Sequence, residues 1–496
     1  MCRIIRENNF ITLMKQCFAV GAVTLNTVSL GILNGYIASL LSDLRKTREI
    51  PLDIDSESWL ASAGAVTLLI GTVIGSLTME IVGRKPAVIL SLLCGICGWL
   101  SFSLASSFPA LLIGRIFQGL SFGIGANADI IITGEYSSPR YRGSFLATVS
   151  TTYLLGALIS YVFGIFYGWP DISIIFLFIS LPAPMVCIFL PESPSFLVSK
   201  GRYDECRKVF HWLRSADENE ELEKMIKSHT MAKTTKEDHE RQLSKLIWDK
   251  VKYIMTVFRK REVRVPILIV MHLNAILQFC GTTICDVYAV DIYSAFYGTD
   301  AHSSSSSRVI TSLDVLRLVA ALLSVYIFSR MKRRSVLLTF VSLNIFVNLC
   351  VSCYIYTRRR GLLPFDHMAI GILLLHCLYF VVGAGVMPLM ATVSGEIFPL
   401  ADRGFCLVVN KMFSSLFMFG DIKSAPYLVS LMGVEGTFFL YALILFYGLI
   451  VAFVMLPETK DKTLQEVEDE IRGYSIYGDS EETFAMKSSE VNSDEN

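Results

Sequence analysis

Charge is what this 496-residue chain has least of. Lys and Arg total 44, Asp and Glu 44, so 18% of residues are charged and the formal net charge is zero. A soluble chain carries about 25% charged residues. With 53% hydrophobic residues and a mean hydropathy of +0.53, the deficit puts most of the protein in hydrocarbon. Zero net charge argues against a nucleic-acid partner held by bulk charge. There is no Asn-x-Ser/Thr sequon to mark a glycosylated loop. There is also no nucleophile–base constellation and no phosphate-cradling glycine loop, so nothing argues for an enzyme or for a cofactor. The twelve cysteines lie mostly inside apolar runs. Cys94-x2-Cys97 and Cys350-x2-Cys353 have metal-like spacing, but in apolar helices a thiol is a small packing group. His272 and His376 are isolated in apolar segments, which favours packing or a local hydrogen bond over a metal site. The first apolar run, Cys17 to Leu41, is too long for a signal peptide and fits a first membrane span.

What the chain does have is twelve apolar stretches near the roughly 20 residues a bilayer core requires. They fall at 17–41, 59–79, 86–106, 109–133, 144–166 and 172–190, then at 264–288, 309–329, 335–356, 367–394, 405–430 and 436–456. The expected fold is an all-α membrane protein of twelve transmembrane helices in two pseudo-equivalent six-helix halves. The halves are 17–190 and 263–456, between an N-terminus at 1–16, a linker at 191–262 and a tail at 457–496. The linker mixes charges at helical spacing around Val209, Trp212 and Leu213, which predicts short amphipathic helices on the membrane surface; a disordered linker is the alternative. The run of serines within 299–308 predicts a flexible loop, and the acidic stretch after about 473 a disordered tail.

Two repeats support the duplication. Glu135 is followed seven residues later by Arg142 and then Gly143; Glu396 is followed seven later by Arg403 and then Gly404. PESP begins at Pro191 and PETK at Pro457, at nearly the same offset. Similar offsets mean equivalent halves, and in membrane proteins such halves rock around a central site. A carboxylate and a guanidinium at helix ends can form a bidentate pair. Pairs made in one conformation and broken in another bias the balance between them. Glu80 with Gly83-Arg84-Lys85 supplies similar parts after segment 2, and the Arg330, Lys332, Arg333, Arg334 cluster supplies them after segment 8. Positive-inside anchoring is the plainer reading of the basic residues, but it does not require the matched glutamates.

With both termini inside, the cytoplasmic loops hold those clusters together with Arg140 and Arg142. Two outer loops depart from the rule. Arg45, Lys46 and Arg48 are diluted by neighbouring acids, whereas Arg358 to Arg360 are not.

The chain resembles the sugar porter family of the major facilitator superfamily, most of all its insect facilitated trehalose transporters and animal glucose facilitators. The matching stretches are ESW at Glu57, EIVGRK at Glu80, GRIFQG at Gly114, GEYSSPRYRG at Gly134, PESPSFL at Pro191, KGR at Lys200, GEIFPLADRG and PETKDKTLQEVE. They run from about 17 to 472. The resemblance implies a major facilitator fold, alternating access and a sugar as small-molecule substrate, in a multi-pass protein of the plasma membrane. It implies a cytoplasmic latch at Glu80, Arg84, Lys85, Glu135, Arg142, Arg330, Arg333, Arg334, Glu396 and Arg403, contacted by Glu192 and Glu458. Within the fold, a porter drifted to another polar or charged solute and a non-transporting nutrient receptor are the alternatives.

The match thins at the substrate site. The family's QQLSG of segment 7 is here Leu277-Gln278-Phe279-Cys280-Gly281, with Thr283 where the family has Asn. Tyr288 matches an aromatic of the outer gate. The sugar-binding Asn of segment 8 is Arg317, the Asn-Trp pair of segment 11 is Ser414-Ser415, and the Gln of segment 5 is Ser150; in segment 10, Pro388 survives and Ala391 replaces Trp. Sugar sites need amides that donate and accept, plus an aromatic face. In their place stand ionisable groups: Asp286, Asp314 and Arg317, with Asp129, Lys411, Asp421 and Lys423 elsewhere. Arg317 and Asp314, three apart on one helix, can neutralise each other; alternatively Arg317 with Asp286 contacts a polar or charged substrate, or one of them lies nearer a membrane end. Gly31 to Tyr36 carries no acid, which by resemblance favours a facilitator over a proton symporter; Asp129 keeps symport open.

Overall fold

The computed structural model describes residues 2–47, 49–214, 258–288, 303–362, 368–399, 403–460 and 464–472, with isolated positions between. All the described regular structure is helical. The elements are α1 Cys2–Thr47, α2 Ile54–Ile81, α3 Arg84–Ser103, α4 Phe108–Tyr136, α5 Pro139–Phe166, α6 Trp169–Ser180, α7 Pro182–Ile188, α8 Pro194–Ser199, α9 Tyr203–Leu213, α10 Arg261–Gln278, α11 Thr282–Val287, α12 Ser303–Arg330, α13 Arg333–Val336, α14 Ser342–Arg359, α15 Met368–Val381, α16 Met387–Glu396, α17 Arg403–Met455 and α18 Leu464–Arg472. Two π-helical turns, Leu337–Val341 and Val382–Val386, join α13 to α14 and α15 to α16.

Among the described residues, ten helices are long and apolar enough to cross a membrane. The other two of the expected twelve come from breaks in the helices. Tyr441 donates a hydrogen bond to Asp421 Oδ1, yet twenty residues of straight helix would span about 30 Å. α17 therefore folds back on itself, at Gly433, whose φ of 75° and ψ of 172° are not helical. The seventh span is split by Phe279–Gly281 into α10 and α11. Gly281 takes φ +94°, a left-handed conformation open to glycine. The freed carbonyl of Cys280 accepts from Asn348 Nδ2 at 3.2 Å, which satisfies a backbone group that lipid could not.

The helices pack in two groups. In the first, α2 and α3 lie on α4, and α1 on α5; in the second, α10 and α14 lie on α17, and α12 on the Val382–Val386 turn and α15. The groups meet where α2 crosses α17 and α5 crosses α12. Outward faces stay apolar: Phe166, Phe178, Phe189, Val325 and Leu431 are all exposed, as side chains solvated by lipid would be.

Some boundaries differ from the sequence reading. Ser303–Arg308, expected in a flexible loop, is helical and extends α12; serine costs a helix only a few tenths of a kcal/mol, roughly 0.5, so a long apolar helix can run through it. α1 begins at Cys2 rather than near 17. In the linker, α9 buries Cys206, Phe210 and Leu213, while Val209 and Trp212 pack beside them. Most of 215–257 and the tail beyond 472 lie outside the described residues. α18 docks on α10: Val467 and Ile471 are buried, and Arg472 reaches Glu262 at 3.3 Å.

Candidate functional site

One end of the bundle carries two copies of the same arrangement. In the first half, Arg84 Nε lies 3.4 Å from Glu135 Oε2, and Ser193 donates its hydroxyl to the same carboxylate. The backbone amides of Arg84 and Lys85 donate to Glu192 Oε1 at 3.0 and 3.2 Å. In the second half, Arg333 grips Glu396 through Nε at 3.1 Å and Nη2 at 2.8 Å, and Thr459 donates to Glu396 at 2.5 Å. The amides of Arg333 and Arg334 donate to Glu458 at 2.9 and 3.2 Å. The copying extends to secondary contacts. Arg84 Nη1 donates to Met79 O and Arg333 Nη1 to Phe328 O, each five residues back.

Each carboxylate of the PES and PET motifs thus caps a helix N-terminus, where exposed amides favour negative charge. Burial pushes Glu458 toward the neutral form. The amides of Arg333, Lys460 and Arg334 and the Arg333 charge outweigh it and hold the carboxyl below its ordinary value.

Most of the expected latch residues are brought together here. Lys85 donates from Nζ to Ile188 O, and Arg334 from Nη2 to Phe453 O. Two stand apart. Glu80 is exposed and belongs to neither cluster, because the turn at Gly83 sends Arg84 back toward α4. Arg330 is exposed and stacks on Tyr326. The side chains of Arg142 and Arg403 lie outside the described residues. Ser193 and Thr459 were missed, although each directly follows its Pro-Glu pair.

In the second half, mid-helix charges gather around one guanidinium. Arg317 Nη2 donates to both oxygens of Asp286 at 2.9 Å, and Arg317 Nη1 lies 3.5 Å from Asp314. Tyr379 donates to Asp286 Oδ1 at 2.5 Å, and its ring lies 4.6 Å from the guanidinium. The Arg317–Asp314 pairing weighed from sequence is therefore present, and Asp286 joins it as a second, closer partner of the guanidinium. Charges in a membrane interior each cost at least about 2.5–3.5 kcal/mol on insertion scales; gathering three with a phenol offsets that cost. Tyr379 carried no sequence signal, being one aromatic in an apolar run.

The remaining candidates spread along the interface. Gln278 Nε2 is 3.5 Å from Ser414 Oγ, and Thr283 donates to Gln278 O at 3.2 Å. Tyr288 is buried and donates to Ile422 O at 3.0 Å. Ser150 is exposed on α5. Asp129 is enclosed by Asn26 at 2.9 Å and Thr27 at 3.0 Å. His272 and His376 bond to the carbonyls of Leu268 and Ile372 in their own helices, both at 2.7 Å.

A cavity between the halves is lined by Leu33, Asn34, Gly64, Arg115, Gln118 and, from α17, Met418. Arg115 donates to Leu60 O, Ala61 O and Gln118 Oε1. Beyond the cavity, α2 and α17 are joined. Ser58 donates to Lys423 O at 2.9 Å, Lys423 Nζ lies 2.7 Å from Asp55 and 4.3 Å from the Trp59 ring, and Ser415 donates to Ala65 O at 2.5 Å.

Two pseudo-equivalent helical halves, duplicated Arg–Glu clusters at one end and an enclosed polar centre define a major facilitator. The family described as "Sugar (and other) transporter" matches residues 15–471, and the chain belongs to it: it is a multi-pass membrane sugar porter, not an enzyme. It is similar to the facilitated trehalose transporter Tret1 of Apis mellifera ligustica, 24% identical over 464 residues, 92% of this chain and 88% of the relative. It is also similar to that of Polypedilum vanderplanki, 26% identical over 473 residues, covering 94% and 90%. Among solved structures, the fold matches the inward open conformation of the xylose transporter XylE from E. coli, with TM-score 0.70, 16% identity and coverage of 90% and 98%. The partially occluded inward open form of XylE matches with TM-score 0.71, 15% identity and coverage of 91% and 100%.

Proposed function

We propose that the protein is a facilitative transporter of the plasma membrane that moves a trehalose- or hexose-like sugar by alternating access, with both termini cytoplasmic. The observation that carries this reading is the pairing of Arg84–Glu135 with Arg333–Glu396 at one end of the bundle. Each pair ties a loop to the helix end beside it within its own half, so each half (17–190 and 263–456) moves as a unit. The α2–α17 contacts then close the opposite, outer end.

The basic residues support this orientation. Among the outer cations, Arg45 pairs with Glu57 and Arg359 with Glu435, so the two loops that offend the positive-inside rule are partly neutralised. Gln278, Thr283, Ser414 and Tyr288 would face the sugar, with Arg317 and Asp286 beside them. The curated relatives named for trehalose support the substrate class. Uptake of labelled trehalose and glucose in oocytes, wild type beside Gln278→Ala, tests it. A surface-expressed protein that takes up neither sugar would overturn the reading.

A second reading is favoured by the Asp286–Arg317–Asp314 cluster: a porter drifted to another polar or charged solute. Uptake of a neutral sugar gained only with Arg317→Asn would favour that history.

A further inference from the structure

Among the described residues, one membrane-embedded cation has no partner. Lys411 sits two turns into α17, half-buried, and among the described residues it has neither a hydrogen bond nor an ion pair. Its neighbour Asn410 is fully engaged, accepting from Asn274 at 2.6 Å and donating to Ser394 at 3.4 Å.

The helix geometry says where Lys411 points. Residues three and four positions on share its face. Ser414 is directed at Gln278 of α10, and Ser415 at Ala65 of α2. Lys411 projects between those directions, toward the seam where the two halves meet. Seven residues on, about 20° from its bearing and roughly 10 Å along the axis, Met418 lines the cavity between the halves. Lys411, Ser414 and Met418 form one stripe, running from that cavity toward the end that carries the Arg–Glu clusters.

Four acids of the membrane segments each have a partner. Asp129 accepts from Asn26 and Thr27, Asp286 and Asp314 flank Arg317, and Asp421 accepts from Tyr441. Glu396 is held by Arg333 and Thr459. Across the cavity, Arg115 spends its guanidinium on two carbonyls and the Gln118 amide, with no carboxylate among its partners. On the α17 and α4 walls, Lys411 and Arg115 therefore have no carboxylate partner among the described residues, and the acids of the Asp286–Arg317–Asp314 cluster are committed to Arg317.

We propose that Lys411 is a specificity-determining residue that binds the carboxylate of the transported solute, and that the preferred substrate is an acidic sugar, such as a hexuronate, rather than a neutral one. The proposal rests on the sugar-porter reading and narrows its substrate class. An ammonium is a compact point charge with three donors, matched to a single carboxylate. The hydroxyls of the sugar fall to the neighbouring Ser414 and Gln278. A half-buried lysine in a membrane segment, without a partner among the described residues, is stabilised when a substrate supplies the missing charge.

The test uses the full chain, purified and in proteoliposomes. Binding and uptake of D-glucuronate, glucose 6-phosphate, glucose and trehalose are compared for wild type, Lys411→Gln, Lys411→Arg and the surface control Lys462→Gln. We expect glucuronate to bind wild type at least about tenfold more tightly than glucose does. Lys411→Gln should abolish that preference without impairing glucose binding, and Lys411→Arg and Lys462→Gln should retain it. Thermal unfolding confirms that each variant is folded. Glucose 6-phosphate binding better than glucuronate, equal binding of glucuronate and glucose to wild type, or a preference surviving Lys411→Gln would each overturn the assignment. Uptake of neutral sugars alone would remove the role of Lys411 and leave the transporter standing. Lys411-dependent glucuronate binding without uptake of any sugar would keep the site and remove the transport reading.

Discussion

Lys423 Nζ lies 2.7 Å from Asp55 Oδ1, although 368 residues separate the two in the chain. The pair is the side-chain ion bridge between the halves among the described residues, and it is built up on both sides. Tyr427 donates to the same carboxylate oxygen at 2.7 Å. Lys423 lies over Trp59, whose ring in turn meets Phe419 at 6.1 Å. An exposed ion pair is worth at most about 1 kcal/mol, and a cation over an aromatic ring about 0.5–1 kcal/mol. Since Asp55 is open to water, solvent screening discounts the ion pair, and the bias toward the state closed at this end is modest.

Lys423→Met should therefore shift the protein modestly toward the opposite state. Single cysteines placed in the two vestibules would report it: labelling should rise on the side of the 49–53 segment and fall on the other. Unchanged labelling on both sides would show that the pair does not gate.

Arg317 stands between two carboxylates, so its removal should cost more than removal of either acid. Arg317→Leu leaves Asp286 and Asp314 facing each other inside the bundle, and breaking a buried pair in this way typically costs about 3–5 kcal/mol. Asp314→Asn removes only the 3.5 Å contact and leaves Arg317 paired with Asp286, so it should cost clearly less. Thermal unfolding in detergent should rank the two in that order. Pairing Arg317→Leu with Asp286→Asn should recover part of the loss, because it removes one uncompensated charge.

How much of this was legible in the sequence follows from the range of each interaction. Hydrophobic runs mark spans because each span solves the same local problem of satisfying its backbone in lipid. The same pattern separated the last two spans at 430–436, around Gly433, but it did not show the break at Phe279–Gly281 inside the seventh, where a backbone conformation, not a composition, makes the division. The Arg–Glu clusters were legible because duplication wrote them twice. Asp286 and Arg317 showed as charges in apolar segments, but Tyr379 completes their cluster as an ordinary aromatic, and no local signal separates it from core. Asp55 with Lys423 joins an exposed loop acid to a helix lysine across the whole chain, a contact only the fold creates. Lys411 was visible as a charge, but its lack of a partner was not.

The duplicated clusters predict a duplicated response. Glu135→Gln and Glu396→Gln each weaken an arginine pair inside one half, so both should shift the accessibility of vestibule cysteines in the same direction. Opposite directions would mean that the halves do not carry equivalent parts.

Glu458 adds a dependence on pH with a defined sign. Its carboxyl is held below the ordinary value by the amides of Arg333, Lys460 and Arg334. A group whose folded value is depressed stabilises the fold above its unfolded value, about 4.3 for glutamate. That contribution is lost as pH falls through the lower, folded value. Wild type should exceed Glu458→Gln in thermal stability by a constant margin above about pH 5, and the margin should shrink below about pH 4. A margin that grows on acidification would refute the capping role.

Gly281 is where backbone conformation and candidate site meet. A Cβ there would lie 2.8 Å from Asn348 Oδ1 and 3.1 Å from the Phe438 ring, on a residue already at φ +94°. Gly281→Ala should cost about 1–3 kcal/mol from the left-handed conformation alone. It should also push Asn348 away from the Cys280 carbonyl it satisfies. Gly134→Ala is the control: nothing lies within 4 Å of a Cβ built there, and alanine in a helix should be neutral or favourable by about 0.5–1 kcal/mol. Thermal unfolding of the two variants should therefore move in opposite directions or differ by at least about 1 kcal/mol. Because the break at Gly281 sets the angle between Gln278 on α10 and Asp286 on α11, sugar uptake should fall further for Gly281→Ala than its stability loss accounts for. Uptake that merely tracks the folded fraction would mean that the break shapes the helix without shaping the site.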